Sequence, residues 1–361
     1  LRTFLCHCGN KLHYENNRCA ACDLTVGYLP DEMQLSALEP AKNGYWRALL
    51  NNQHYRQCKN YTDYNVCNWM VPVNDYHLYC TSCRLNKTIP NLNKEKNITL
   101  WYRLEQAKRR LLYTLFSLNL PVVSRTTDPN TGMGFEFLED ETTQNDYSNE
   151  LTIKRTIVTG HSTGLITINL LEAEHSAREK MREKMQESYR TLLGHFRHES
   201  GHYYWDRLIC DSPNITSFRE LFGDERLDYS LALKAYYDQG PPAFWQNVWI
   251  SAYASMHPWE DWAETWAHYL HMVDTLETAG DFGFKIEDLP VADPPINSQK
   301  KPHHTTPASF DELFNNWCHL SSALNALNRS MGLPDAYPFV ISLLALNKLR
   351  YIHQIVIEAS I

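Results

Sequence analysis

The sequence predicts an α+β, mostly helical protein with a cysteine-rich module at its amino end, and three observations carry that expectation. Eight of the ten cysteines fall before Arg84. Between Pro121 and Leu170 short apolar runs such as Gly134-Phe135-Glu136-Phe137-Leu138 are broken by Gly, Asn, Asp and Thr, which is the texture of strands and hairpins in a small antiparallel sheet. Beyond Glu172 the chain runs to Gly194 without Gly or Pro, and from Pro241 onward most segments carry helical periodicity.

The cysteine module comes first along the chain. Cys6, Cys8, Cys19 and Cys22 form two tight knuckles, with Gly9 supplying the conformational freedom that a ligand turn needs. Cys58, Cys67, Cys80 and Cys83 supply one more tight knuckle and one loose arm. Four thiolates can close a tetrahedron around one zinc, so each set is expected to hold a structural zinc. A disulfide framework would spread its cysteines over the chain, yet only Cys210 and Cys318 lie in the remaining three quarters. Thiolate zinc sites favour a reducing, cytoplasmic location. The module is expected to span residues 1–90. A polar, Asn-rich stretch, Arg84 to Lys96, marks the boundary to a larger domain over 97–361.

Charge narrows the partners. The formal net charge is −8, and residues 1–90 hold nine Lys or Arg against seven Asp or Glu, before each Zn(Cys)4 adds about −2. Nucleic acid is therefore a disfavoured partner. The basic run Lys108-Arg109-Arg110 sits in a helical segment, Ile98 to Leu118, and is expected on a solvated face. The most apolar stretch, Phe339 to Leu346, is far shorter than the roughly 18 to 20 residues that span a bilayer, so no membrane segment is expected. A Pro-rich interval, Leu289 to Pro307, separates the larger domain from two closing helices near Ser309 to Met331 and Pro338 to Ala359.

Chemistry concentrates in two blocks. His198-Glu199-Ser200-Gly201-His202 is an H-E-x-x-H motif in a helical stretch, where the i, i+4 spacing puts both imidazoles on one face to share a zinc, with Glu199 beside the metal's open position. Trp205 and Leu208 stand where a metzincin needs Gly and His, which excludes that class. A catalytic zinc takes three protein ligands and a water, so a third ligand is required. Downstream, Pro258 opens a helix whose Glu260, Glu264, His268 and His271 share one stripe.

Together the cysteine-rich ribbon, Gly194 to Trp205 (GHFRHESGHYYW) and His257 to His271 (HPWEDWAETWAHYLH) resemble the bacterial putative zinc-binding metallopeptidases, a gluzincin-type family. The resemblance covers nearly the whole chain. It implies a gluzincin-like fold in the larger domain and a third ligand within an E-x-x-A-E pattern, here Glu260 to Glu264. Glu260 becomes the zinc ligand and Glu264 the partner that orients a ligand histidine. The interval between His202 and Glu260 is long, like that of the Mlc titration factor and unlike that of thermolysin-like enzymes, so Glu264 stays open as the alternative ligand. The resemblance also makes Tyr253, seven residues before Glu260, the phenol facing the reacting oxyanion.

The expected activity is hydrolysis of peptide or isopeptide bonds in a peptide or protein substrate, with one catalytic and one or two structural zinc ions. The base would be Glu199. Two other classes compete: a non-catalytic scaffold stapled by zinc, and a nucleic-acid-binding regulator using the ribbon and the Lys108 to Arg110 run.

Overall fold

The computed structural model describes residues 2–145, 148–179, 191–284 and 309–360. The helical texture expected over 180–190 and the Pro-rich interval 289–307 lie outside these residues. The chain divides into two compact units. The first holds described residues 2–116, 122–145, 148–179 and 191–196, and the second 117–121, 197–284 and 309–360.

In the first unit, β1 (Phe4–Leu5) and β2 (Lys11–Leu12) pair antiparallel. The knuckle between them turns at Gly9, whose φ of +83° suits glycine and whose N–H reaches Cys6 O at 2.9 Å. Five strands then run up and down in sequence order, β3 (Thr25–Leu29), β4 (Gln34–Pro40), β5 (Trp46–Ala48), β6 (His54–Gln57) and β7 (Met70–Pro72), each antiparallel to the next. Strands β3 to β6 separate the two cysteine sets in sequence, and β7 lies between Cys67 and Cys80 of the second set. Its core is aromatic: Tyr28 lies 5.0 Å from Tyr14 and 4.9 Å from Trp69 between ring centroids, and Tyr113 of the long helix Glu95–Ser117 closes on Tyr14 at 5.4 Å.

The long helix corrects one expectation. Lys108 and Arg109 are buried: Lys108 Nζ lies 2.9 Å from Glu105 and also bonds Asn86, and Arg109 donates to Val66 O at 2.7 Å. Glu105 in turn is 3.9 Å from Cys83 Sγ. A buried run of cations is tolerable because it is paired, and it lies beside the thiols of the second cysteine set. Only Arg110 keeps partial exposure, bonded to Glu15 at 2.5 Å. The solvated basic face is absent.

A second correction concerns the sheet. β8 (Asn86–Thr88) and β9 (Gly134–Leu138) pair parallel; β10 (Glu141–Asn145) and β11 (Ser148–Arg155) form a separate antiparallel hairpin; β12 (Gly160–Ser162) and β13 (Leu165–Asn169) complete a four-stranded sheet in the order β12-β13-β9-β8. The β13–β9 pair is also parallel, and only β12–β13 is antiparallel. The expected antiparallel sheet is therefore mixed. The reason is connection length: the long helix joins β8 to β9, and the β10–β11 hairpin with β12 joins β9 to β13, and such crossovers bring the chain back to start its next strand from the same end. The strand β8 lies inside the polar Arg84 to Lys96 stretch, so the compact units do not divide there.

The second unit is helical among the described residues: the motif helix Leu192–Leu208, which begins in the first unit, then Ile215–Phe222, Tyr229–Gln239, Pro258–Asp281, Phe310–Ser330 and Leu343–Ala359. Its core stacks Tyr204 on Trp266 at 4.8 Å and Trp266 on Trp262 at 5.9 Å. Lys348 of the last helix reaches the fully buried Asp261 at 2.5 Å and Val248 O at 3.1 Å. Burial pushes Asp261 up to about 7 in spite of that lysine. No helix of the described residues is long and apolar enough to cross a membrane.

Candidate metal centres

Both cysteine sets converge. In each, four Sγ atoms lie within 4.8 Å of one another, and none of the ten cysteines is disulfide-bonded. The Cys6–Cys22, Cys8–Cys19 and Cys67–Cys80 Sγ pairs stand 3.7 Å apart. A disulfide needs about 2.05 Å. A tetrahedron with metal–sulfur bonds of about 2.3 Å has edges of about 3.8 Å, so the spacing fits zinc. Backbone amides already point at the sulfurs of the second set, from Trp69 to Cys67, from Cys80 to Cys58 and from Cys83 to Cys80, each at 3.4 Å. Burial and the neighbouring thiols nevertheless push the Cys80 thiol well up.

The third centre arises where two helices nearly touch. A Cβ on Gly201 would stand 2.9 Å from Ala263 Cα, so only glycine allows the motif helix to approach the helix Pro258–Asp281 this closely. Trp262 Nε1 donates to Gly201 O at 2.9 Å, and Trp266 Nε1 to Ser200 Oγ at 3.2 Å, locking the two backbones in register. Glu260 and Glu264 flank Ala263 and thereby face His198 and His202. The second helix is fixed at its start by His257, whose Nδ1 accepts from Trp259 N at 3.1 Å while Nε2 donates to Leu227 O at 3.1 Å, with Pro258 in the first turn.

His198, His202 and Glu260 each present one donor atom within 4.8 Å of the others. His198 Nε2 is 3.0 Å from Glu260 Oε2, and His202 Nε2 is 3.4 Å from Glu260 Oε1. The first of these spacings lies close to the roughly 3.3 Å edge of a tetrahedron with bonds of about 2.0 Å. Glu264 lies on the opposite side of the first imidazole: its Oε1 is 2.6 Å from His198 Nδ1, and its Oε2 accepts from Ser251 Oγ at 2.6 Å. If Nδ1 donates to Glu264, Nε2 turns a lone pair toward Glu260 Oε2, which accepts no hydrogen bond although it is buried. Two acceptors facing each other at 3.0 Å repel unless a cation lies between them. The donor set fits a metal ion.

Without a metal, a second proton on His198 is the cation that fills this gap. Burial disfavours the charged form of His198, but Glu260 and Glu264 outweigh it and hold the imidazole well above its ordinary value. Burial likewise opposes ionisation of Glu260, and His202 and His198 prevail, leaving its carboxyl well below the usual range. Glu264 is lowered against burial by His198. Glu199, 6% exposed and with an Oε2 that has no hydrogen-bond partner, is raised by burial, which the two imidazoles only partly offset.

Tyr253 sits on the turn Tyr253–Ser255, its ring centroid 6.1 Å from that of His198, and burial pushes its phenol up. The remaining histidines of the second block point elsewhere: His268 Nδ1 bonds Tyr337 Oη at 2.7 Å, and His271 packs against Trp317 and Tyr337. Sequence reasoning missed Ser251 and Tyr229, whose hydroxyl donates to Glu260 Oε1 at 2.9 Å. Both come from segments with no pattern of their own. The glycine inside the motif was the one legible sign of the close helix contact.

Uncharacterized proteins of Mycobacterium bovis and of two Mycobacterium tuberculosis strains are each 39% identical to the chain over 362 residues, covering all of it and 96% of each relative. No solved structure matches it significantly. A zinc-ribbon domain model matches residues 3–94, which contain both cysteine sets. Residues 97–355, which carry all the histidines and carboxylates of the third centre, match the model of a second family, and the chain belongs to that family, described as putative zinc-binding metallo-peptidase.

Proposed function

We propose that this protein hydrolyses peptide or isopeptide bonds as a gluzincin-type enzyme, with zinc held by His198, His202 and Glu260. The observation that carries the proposal is the meeting of these three donors beside a Glu199 carboxylate oxygen that no hydrogen bond occupies. Zinc bound by such a set supplies a Lewis acid that polarises a carbonyl and brings the pKa of water to about 7.

The protein's own groups do the rest. Glu199 accepts the proton of the attacking water and passes it to the departing nitrogen. Glu260, facing both Nε2 atoms, is the metal-ligand carboxylate. Glu264 takes the Nδ1 proton of His198, fixing the tautomer that leaves Nε2 free to ligate, and Ser251 holds Glu264 in place. Tyr253, kept protonated by burial, donates to the oxyanion that develops on the substrate. The two cysteine sets each hold a structural zinc. Their reduced thiols suit a cytoplasmic protein, and the burial of Lys108 and Arg109 takes two of the three cations from the run that, together with the ribbon, nucleic-acid binding would have used.

Glu199→Gln tests the scheme. With a quenched-fluorescent peptide library as substrate, the variant keeps its full zinc content while hydrolysis falls by about a hundredfold or more. Unchanged hydrolysis removes Glu199 as the base.

A further inference from the structure

Tyr229 opens the helix Tyr229–Gln239, in which no residue is buried, and Asp228 caps it by accepting from Leu231 N at 2.9 Å. The phenol nevertheless reaches inward. Its ring stands edge-on to His257 at 5.3 Å and to Trp259 at 6.2 Å, and its hydroxyl donates to Oε1 of Glu260 at 2.9 Å. The two oxygens of Glu260 are thereby made unequal: Oε1 carries a hydrogen bond, whereas Oε2 lies 3.0 Å from His198 Nε2 and accepts none.

We infer that Tyr229 is a positioning residue that reserves Oε1 of Glu260, so that the carboxylate offers the metal Oε2 alone. A carboxylate can bind zinc through one oxygen or through both. A hydrogen bond donated to one oxygen lowers its basicity and favours binding through the other. Binding through both would consume the coordination position that a hydrolase must leave for water and the substrate carbonyl. The inference rests on His198, His202 and Glu260 being the metal site.

The test uses the full chain with cobalt(II) exchanged into the histidine site while the thiolate sets keep zinc. Tyr229→Phe keeps the ring and loses the donor. The variant retains its cobalt, its visible absorption weakens as the coordination number rises, and with zinc restored kcat falls about tenfold at unchanged KM. A Tyr229→Phe spectrum and kcat identical to those of the unaltered protein overturn the inference, as does a loss of thermal stability with no change in the spectrum. His202→Ala and Glu260→Gln separate the two levels. If either keeps the cobalt spectrum, the metal is elsewhere and both the site and the inference fall. If both lose it while Tyr229→Phe is unchanged, only the role of Tyr229 falls. The unaltered protein offers a measurement that needs no variant. The infrared difference between metal-loaded and stripped protein shows widely split carboxylate stretches for one-oxygen binding, and closely spaced stretches would refute it.

Discussion

The second cysteine set and the histidine–carboxylate centre gather donors in opposite ways. Cys58, Cys67, Cys80 and Cys83 are all buried and supply four donors, and the sulfurs of Cys58, Cys67 and Cys80 already accept backbone hydrogen bonds. The other centre supplies three donors, leaves the His198 side chain 15% exposed, and keeps one oxygen, Oε2, of each of Glu199 and Glu260 free of hydrogen bonds. A closed set spends its donors on the fold, whereas an open set keeps a position for chemistry. The difference lies in what holds the donors. The cysteines sit on short turns that have little structure to fall back on without a metal. The histidines and Glu260 stand on long helices joined by the Trp262, Trp266 and Gly201 contacts, which do not depend on one.

The largest expected effect breaks that comparison directly. Cys67→Ser removes a buried ligand, and the cysteine module loses zinc together with its near-ultraviolet circular dichroism, because metal binding there is folding free energy. His202→Ala loses the third metal and all hydrolysis yet melts cooperatively near the temperature of the unaltered protein. Should His202→Ala unfold as readily as Cys67→Ser, the distinction between the two kinds of centre is wrong.

Next in size is Gly201→Ala. The added methyl meets Ala263 Cα at 2.9 Å, so one helix has to shift. The expected cost is about 1–3 kcal/mol in urea denaturation, with weakened metal binding at the histidine site and no change at the cysteine sets. A variant as stable as its parent would show that the helices have room to spare. Smaller still is Ser251→Ala, which takes from Glu264 its 2.6 Å donor. Zinc affinity at the third centre is expected to drop about tenfold in chelator competition, with stability lowered by about 1 kcal/mol. Equal affinity would mean that Glu264 needs no second partner.

What the sequence showed and what it hid follow from the range of the interactions. H-E-x-x-H spacing and cysteine knuckles are local, since 3.6 residues per turn and a two-residue turn are enough to bring their side chains together. The start of the second helix at Pro258 was legible for the same reason. Non-local facts were not. The parallel pairing of β9 with β8 and β13 depends on where intervening segments return the chain. The burial of Lys108 and Arg109 depends on Asn86, on Val66 and on thiols some twenty or more positions away in sequence. Tyr229 and Ser251 approach Glu260 and Glu264 from 31 and 13 residues away. No periodicity announces such meetings.

The last effect concerns acid. Burial, with Arg197 nearby, holds His268 and His271 at about 4 and about 3, and Glu264 pulls His268 only partly back. The unfolded chain protonates these imidazoles near 6.5, so between that pH and about 4 it binds protons that the folded protein refuses. Their full contribution to stability is therefore present above pH 6.5 and is lost as pH falls through that window. Replacing both with Gln removes the proton uptake without adding charge. The urea midpoint of the double variant is expected to decline less steeply from pH 6.5 to 4 than that of its parent, while hydrolysis at neutral pH is retained. Parallel slopes would show that these histidines already carry protons in the folded state and that the helix Pro258–Asp281 tolerates cations along its whole buried stripe, which would remove the electrostatic contrast between its metal-facing first turns and its structural later ones.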